Sequence, residues 1–262
     1  LFNPGDWSES PPGEAAYHYS NAGFTLLGYL VEQVAGQPFD AFTRNRIFGP
    51  LRMDTAAWHM AAIPNHERQD VANVYRYEAA TAGHTAYGHY GVPQWPAAQL
   101  RVSVADLATL LREFTKRSMK LPTVTTPDDG EGKFTPRRSG ERAQSANTNA
   151  ASDEDEGGVL STTAYRLMCP DTYTQGLGWW GQDAWYGYKG EEVWLHGGFM
   201  DGVRTQVNFY PKWSAGFVLL CNAEGDYKAI EARLKAEMVA LVRSKRKIID
   251  SNHLNVDDIL VV

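Results

Sequence analysis

Three runs of apolar and aromatic residues in the second half of the chain constrain its fold most strongly. They span residues 185–195, 203–211 and 215–222. Together they are rich in Trp, Tyr, Val and Phe, which are typical of strands. The turn signals between them are Gly197-Gly198, Asp201-Gly202 and residues 211–214. Because these connections are short, consecutive strands should pair side by side, and the sequence predicts a three-stranded antiparallel meander.

Helical patterns precede and follow this meander. They cover residues 22–35, 39–48, 103–114 and 229–242. Gly36 and Pro38 give a stop signal after the first pattern. Ser103, followed three residues later by Asp106, is typical of a capping box at a helix start. Helices combined with an antiparallel sheet predict an α+β fold.

Two other stretches lack such patterns. Residues 56–100 have no sustained period, and we expect them to be mainly irregular, with short elements. Residues 121–158 contain almost no apolar side chains and carry an acidic run at 153–156. Such a segment cannot offset its loss of conformational entropy by burying apolar surface. We therefore predict a disordered insertion at 121–158, and a C-terminal tail at 248–262.

Composition excludes several classes of function. A net charge of −6 argues against nucleic-acid binding, which needs basic surfaces. No apolar run reaches the roughly 20 residues of a membrane span. His84 and His89 have no carboxylate at ligand spacing, so a metal site is not expected. There is no Gly-rich phosphate loop, and no cofactor is expected. Cys169 and Cys221 are compatible with two reduced thiols or with a disulfide, and nothing indicates the compartment.

The turn Tyr19-Ser20-Asn21 places a phenol, a hydroxyl and a carboxamide directly before the first helical pattern. A phenol has an ordinary pKa of about 10, and nearby cations could lower it enough to relay a proton to and from a serine hydroxyl. A carboxamide such as that of Asn21 can both donate and accept hydrogen bonds. The simpler interpretation is that Ser20 and Asn21 cap the helix, and these three residues alone favour it.

A second motif is His196-Gly197-Gly198, which we expect at the end of the first predicted strand. Glycines beside an imidazole would let a substrate carbonyl approach the backbone closely, and a free N–H there could stabilise an oxyanion. The alternative is a glycine-rich hairpin turn with an incidental histidine. Taken alone, the motif does not decide between them.

The two motifs, in this order and with their flanking residues, resemble the serine β-lactamase and penicillin-binding-protein-like superfamily. The superfamily signature is Ser-x-x-Lys, a middle triplet and Lys-Thr-Gly. In the class C β-lactamase/esterase branch the middle triplet is Tyr-x-Asn, and His often replaces the Lys of the third motif. Further matches are Pro12-Gly13, Leu26-Leu27-Gly28, Pro50-Leu51, Leu100-Arg101-Val102-Ser103 and Gln175-Gly176-Leu177-Gly178-Trp179.

This resemblance implies a β-lactamase/transpeptidase-like fold, with an antiparallel sheet flanked by helices and a mostly helical subdomain. It also implies a serine hydrolase that acts on esters, amides or D-amino-acid peptides through an acyl-enzyme. Tyr19 would be the general base and acid, and Asn21 would orient the substrate. His196 would take the Lys position. The Phe199 N–H would form half of the oxyanion hole, with Gly197 and Gly198 beside the substrate.

The nucleophile of that signature is missing from this sequence. Ser-x-x-Lys should precede Tyr19 by many tens of residues, and its one occurrence, at 244–247, has the wrong chain position. Three explanations are open: a fragment, an inactive homologue serving as a binding or assembly module, or a nucleophile from another polypeptide. We favour the fragment, in which residues 1–262 are the C-terminal part of one domain and lack the N-terminal strands and the nucleophile helix. In the superfamily those strands cover the apolar edge that residues 216–221 would otherwise expose.

Overall fold

The computed structural model describes residues 19–120, 158–170, 176–181 and 192–252 of the 262-residue chain. The helices are α1 (Asn21–Ala35), α2 (Phe39–Thr43), α3 (Trp95–Ala98), α4 (Val104–Lys120), α5 (Thr162–Met168) and α6 (Lys228–Asn252). The strands are β1 (Tyr75–Glu78), β2 (Gly83–Ala86), β3 (Trp194–Met200), β4 (Val203–Tyr210) and β5 (Ala215–Cys221). A π-helical turn, Arg44–Phe48, continues α2. This combination confirms the predicted α+β class.

Strands β3, β4 and β5 form one antiparallel sheet in that order, as predicted. The position of its first strand was predicted wrongly, because β3 begins at Trp194 and runs through the two glycines instead of ending before them. Gly198 lies opposite Thr205, whose hydroxyl would collide with any Cβ at that position. Close packing between strands, and not a turn, therefore requires this glycine. The turn at Asp201-Gly202 was predicted correctly, and Gly202 has a φ of +69°.

Helices cover the sheet through two apolar clusters. The first contains Leu111 and Phe114 of α4, Tyr165 of α5, Trp194 of β3 and Phe209 of β4. The second contains Val193, Leu195, Tyr210, Phe217 and Met238, the last of which belongs to α6. Both clusters contain side chains that are almost wholly buried, which is where apolar burial stabilises the domain most. Trp194 belongs to one cluster and Val193 and Leu195 to the other, so both faces of β3 contribute to the core.

Hydrogen bonds fix the start of α1 and α4. Ser20 caps α1 by accepting a bond from the Gly23 N–H at 2.9 Å, which confirms the capping interpretation of this residue. At α4 the Ser103 hydroxyl accepts from the Asp106 N–H at 3.1 Å. The return bond of a capping box is missing, because the Asp106 carboxylate accepts from the N–H and the hydroxyl of Thr55. The capping box was thus predicted half correctly.

Other elements differ in extent from the sequence-based expectation. Helix α6 continues ten residues past Val242, so the first part of the predicted tail is helical and the basic run at 243–247 lies inside the helix. The stretch 56–100 is mainly irregular with short elements, as expected, and these include the antiparallel hairpin β1–β2. Of the predicted insertion, residues 121–157 lie outside the described residues, as do 253–262 of the tail.

Cys169 and Cys221 are both free thiols, which decides between the two alternatives left by the sequence. Burial raises the pKa of each thiol above its ordinary value. No helix in the described part of the chain is long and apolar enough to cross a membrane.

Candidate active site

Tyr19 and Asn21 are held together by the start of α1. The Tyr19 hydroxyl donates a hydrogen bond of 2.8 Å to the Asn21 side-chain oxygen. The Ser20 cap between them fixes the local backbone, since its side chain is bonded to Gly23. Tyr19 is 57% exposed, so its phenol is accessible beside the helix. Capping and a functional role are therefore compatible at this turn, because different side chains perform them.

His196 lies on β3 and stacks on a tryptophan that the sequence did not single out. The rings of Trp180 and His196 have centroids 4.9 Å apart and planes inclined by 20°. Trp180 also contacts Tyr19 edge to face, at a centroid distance of 6.3 Å and an angle of 63°. One indole thus contacts both motifs, which are far apart in the sequence. Burial lowers the pKa of His196, and a weaker backbone hydrogen bond with Gly197 opposes this shift.

The backbone of Phe199 points toward the edge of β3 that faces away from β4. Trp180 and Leu195 exchange two backbone hydrogen bonds, of 2.9 and 2.8 Å, so the polar groups of Leu195 point to that edge. Backbone groups of successive strand residues point to alternate edges, which gives Gly197 and Phe199 the same direction as Leu195. The Phe199 N–H therefore lies on the edge that Trp180 adjoins. Its ring is 77% exposed.

Arg204 supports the end of β3 from the neighbouring strand. It lies opposite Phe199, and its guanidinium carbon is 3.4 Å from the centroid of the phenyl ring. The same guanidinium donates to the carbonyls of Met200 at 2.6 Å and Val203 at 2.7 Å. These contacts combine a cation–π interaction with charge-assisted hydrogen bonds. They fix the turn directly after Phe199.

Glu224 ties this turn to the hairpin β1–β2. Its carboxylate accepts from the Gly202 N–H at 3.2 Å and from the Tyr77 N–H at 3.3 Å. Its main-chain N–H donates to the Tyr75 carbonyl at 3.0 Å. The pKa of Glu224 lies below its ordinary value, chiefly because of the hydrogen bond from Gly202. The hairpin β1–β2 is therefore connected through Glu224 to the turn that follows β3.

The structure brings one predicted residue of each motif, Tyr19 and His196, into contact with Trp180. Two contributors, Trp180 and Glu224, were not predicted from the sequence. Trp180 belongs to neither motif, and these two contacts are with residues distant from it in sequence. Glu224 follows a strand in a polar segment, and no sequence signal distinguishes it from other exposed acidic residues.

Fold and site together define a β-lactamase/transpeptidase-like domain: helices around an antiparallel sheet, with Tyr-x-Asn and His-Gly-Gly at one sheet edge. The profile of the Beta-lactamase family matches residues 6–240, which is most of the chain. The chain belongs to the Beta-lactamase family. This confirms the predicted superfamily.

A curated relative agrees with this family. The chain is 24% identical over 221 residues to "Unguisins hydrolase ungD'" of Aspergillus campestris (strain IBT 28561), and the alignment covers 84% of this chain and 35% of that protein. It therefore spans about a third of the curated relative's length.

Solved structures share the fold. The octameric penicillin-binding protein homologue from Pyrococcus abyssi aligns with a TM-score of 0.55 at 19% identity, covering 84% of this chain and 41% of that one. A class C beta-lactamase from Rhodobacter sphaeroides aligns with a TM-score of 0.51 at 17% identity, covering 94% and 64%. These similarities confirm the predicted β-lactamase/transpeptidase-like fold, and one of the two similar structures is a class C beta-lactamase.

We expect an NMR titration to give His196 a pKa below its ordinary value of 6.5, because burial disfavours the imidazolium. Below pH 6.5 the unfolded chain then binds more protons than the folded chain, so stability should fall as the pH decreases through this range. His196→Asn should weaken that dependence. A His196 pKa at or above 6.5, or an unchanged dependence in the variant, would contradict this assignment.

Glu224→Gln should lower the urea midpoint at neutral pH, because it weakens the bonds to Gly202 and Tyr77. The pKa of Glu224 is lower in the folded chain, so its stabilisation is present above pH 4.5 and is lost as the pH falls through the folded value. The difference from wild type should therefore shrink in acid. Glu78→Gln, on the same hairpin, is the matched control and should change the midpoint less. Equal changes of the urea midpoint in both variants at all pH values would contradict a specific stabilising role of the Glu224 hydrogen bonds.

Proposed function

We propose that this chain is part of a β-lactamase-like serine hydrolase that acts through an acyl-enzyme on an ester, an amide or a D-amino-acid peptide. The observation that supports the proposal is that one residue, Trp180, contacts both Tyr19 of the Tyr-x-Asn motif and His196 of the His-Gly-Gly motif. The curated relative is named a hydrolase of unguisins, which supports hydrolysis as the class of reaction.

Tyr19 is assigned the proton transfer and Asn21 the orientation of the reacting groups. As the phenolate, Tyr19 would accept the proton of the serine hydroxyl while the serine oxygen attacks the substrate carbonyl. It would then return that proton to the departing alcohol or amine. The Asn21 carboxamide already accepts from the phenol, and by rotation it can donate to a phenolate instead. One neighbour thus serves both protonation states.

We assign to the edge of β3 the binding of the substrate carbonyl. The Phe199 N–H points to this edge, where it would stabilise the oxyanion together with the N–H of the nucleophile itself. Gly197 and Gly198 have no side chains that could hinder a substrate lying along the strand. His196 would stand at this edge mainly as the neutral imidazole, since its pKa is lowered. It would therefore act by hydrogen bonding and not as a fixed positive charge.

The nucleophile is proposed to come from a segment of the same protein outside these 262 residues. The Ser244 hydroxyl, in the one Ser-x-x-Lys sequence, donates to the Leu241 carbonyl within α6. Two features lack a partner among the described residues. One is the outer backbone edge of β5, which pairs with no further strand of that sheet, although its side chains are mostly buried. The other is an apolar face of α1 formed by Phe24, Leu27, Leu30 and Val34, which are 47–90% exposed. The greater length of the relatives supports such a segment.

A fluorophosphonate probe, which labels activated serines, tests this proposal on the full product of the gene. We expect labelling at a serine followed three residues later by lysine. Tyr19→Phe should slow the labelling by about 100-fold or more, because general base catalysis typically contributes roughly 10²- to 10⁴-fold. Tyr29→Phe, an equally exposed tyrosine on α1, is the matched control and should label at the wild-type rate.

Absence of labelling, together with absence of Ser-x-x-Lys from the full sequence, would overturn the hydrolase assignment. The protein would then be an inactive homologue that serves as a binding or assembly module. Equal labelling rates of wild type and Tyr19→Phe would leave a serine enzyme but remove the role assigned to Tyr19.

A further inference from the structure

Trp180 is attached to β3 by both its backbone and its ring. Its N–H and carbonyl are bonded to Leu195, the residue directly before His196, at 2.9 and 2.8 Å. Its indole is nearly parallel to the His196 imidazole, with a centroid distance of 4.9 Å. The indole also packs against the cluster of Val193 and Leu195. Its position is therefore determined independently of His196.

The adjacent tryptophan has a different environment. Trp179 is buried in the first apolar cluster, where its ring contacts Phe114 edge to face at 4.9 Å. These contacts are those of a core residue. Trp180 is only partly buried, and among the described residues its ring contacts include those of Tyr19 and His196. Two neighbouring tryptophans thus separate into one that stabilises the core and one that contacts the candidate site.

Only one of the two neighbours of His196 on the same face of β3 has a side chain. Side chains two residues apart lie on the same face of a strand, which gives His196 the buried Trp194 on one side and Gly198 on the other. The second torsion angle of a histidine has a broad minimum, so an imidazole without a packing partner samples many ring planes. A parallel indole at 4.9 Å restricts that torsion to one plane. The stack supplies the restraint that Gly198 cannot.

We propose that Trp180 is a positioning residue, which fixes the ring plane of His196 and holds the Tyr19 phenol beside it. This inference rests on the proposed function, since it concerns how two groups assigned to the reaction are kept in register. Stacked and edge-to-face aromatic pairs are favoured geometries, and an indole presents both a face and an edge. The indole of Trp180 stacks face to face on the imidazole of His196, and it contacts the phenol of Tyr19 edge to face.

Two substitutions separate ring stacking from simple packing. Trp180→Leu keeps an apolar side chain against Val193 and Leu195 but removes the aromatic face, whereas Trp180→Phe retains one. Trp213→Leu is the matched control, because Trp213 also stacks on an aromatic ring, that of Tyr210, at 4.9 Å and 23°. That stack belongs to the second cluster and lies outside the candidate site.

The first measurement is the NMR spectrum of the histidine rings in the full-length protein, which does not depend on activity. The Trp180 ring current should shift the His196 proton resonances, and Trp180→Leu should remove this shift. Trp180→Phe should keep part of it, and Trp213→Leu should leave it unchanged. His196 resonances that are the same in wild type and Trp180→Leu would overturn the proposal, whether or not the protein is an enzyme.

The second measurement is the kinetics of ester hydrolysis by the same variants. Trp180→Leu should lower kcat by about 10- to 100-fold with little change in KM, as expected when reacting groups are misplaced without loss of binding. Trp180→Phe, which keeps an aromatic ring, should retain most of the wild-type kcat. A loss of kcat that Trp213→Leu reproduces at equal loss of stability would reduce Trp180 to a structural residue. An inactive wild-type protein would instead refute the proposed function, and the ring resonances would still decide the positioning claim.

Discussion

The candidate site depends on the attachment of Trp180 to β3. Two backbone hydrogen bonds with Leu195 place Trp180 at the strand edge, and its ring then contacts His196 and Tyr19. The same pairing determines that the Phe199 N–H points to this edge. Through this attachment, the side chain of Trp180 contacts both the Tyr-x-Asn turn, at Tyr19, and the His-Gly-Gly strand, at His196. A local pairing of one residue therefore organises groups from distant parts of the chain.

The end of β3 is held from the other side by charged groups. Arg204 donates to the carbonyls of Met200 and Val203 and covers the Phe199 ring, while the Glu224 carboxylate accepts from the Gly202 N–H. These groups act on the backbone directly after Phe199, so they restrict where its N–H can point. Preorganised backbone donors need such support, because a donor that must reorient stabilises an oxyanion less.

Much of the fold was predictable because local patterns and tertiary packing agree. The antiparallel order of the sheet follows from short connections, and α1 follows from apolar spacing between Ser20 and Gly36. The glycines of β3 were misplaced, since a turn and a tight strand contact both favour glycine and only the Thr205 neighbour separates them. Trp180 and Glu224 were missed for a related reason. Their roles come from partners distant in sequence, and periodicity carries no information about such partners.

We propose that these 262 residues carry the proton-transfer and oxyanion groups of a serine hydrolase but not its nucleophile. Hydrolysis of a p-nitrophenyl ester by the 262-residue chain alone, compared with the full-length protein, tests this most directly. We expect no turnover by the chain alone and Tyr19-dependent turnover by the full-length protein. Hydrolysis by the chain alone that Tyr19→Phe abolishes would contradict this proposal, because a nucleophile would then lie within the sequence.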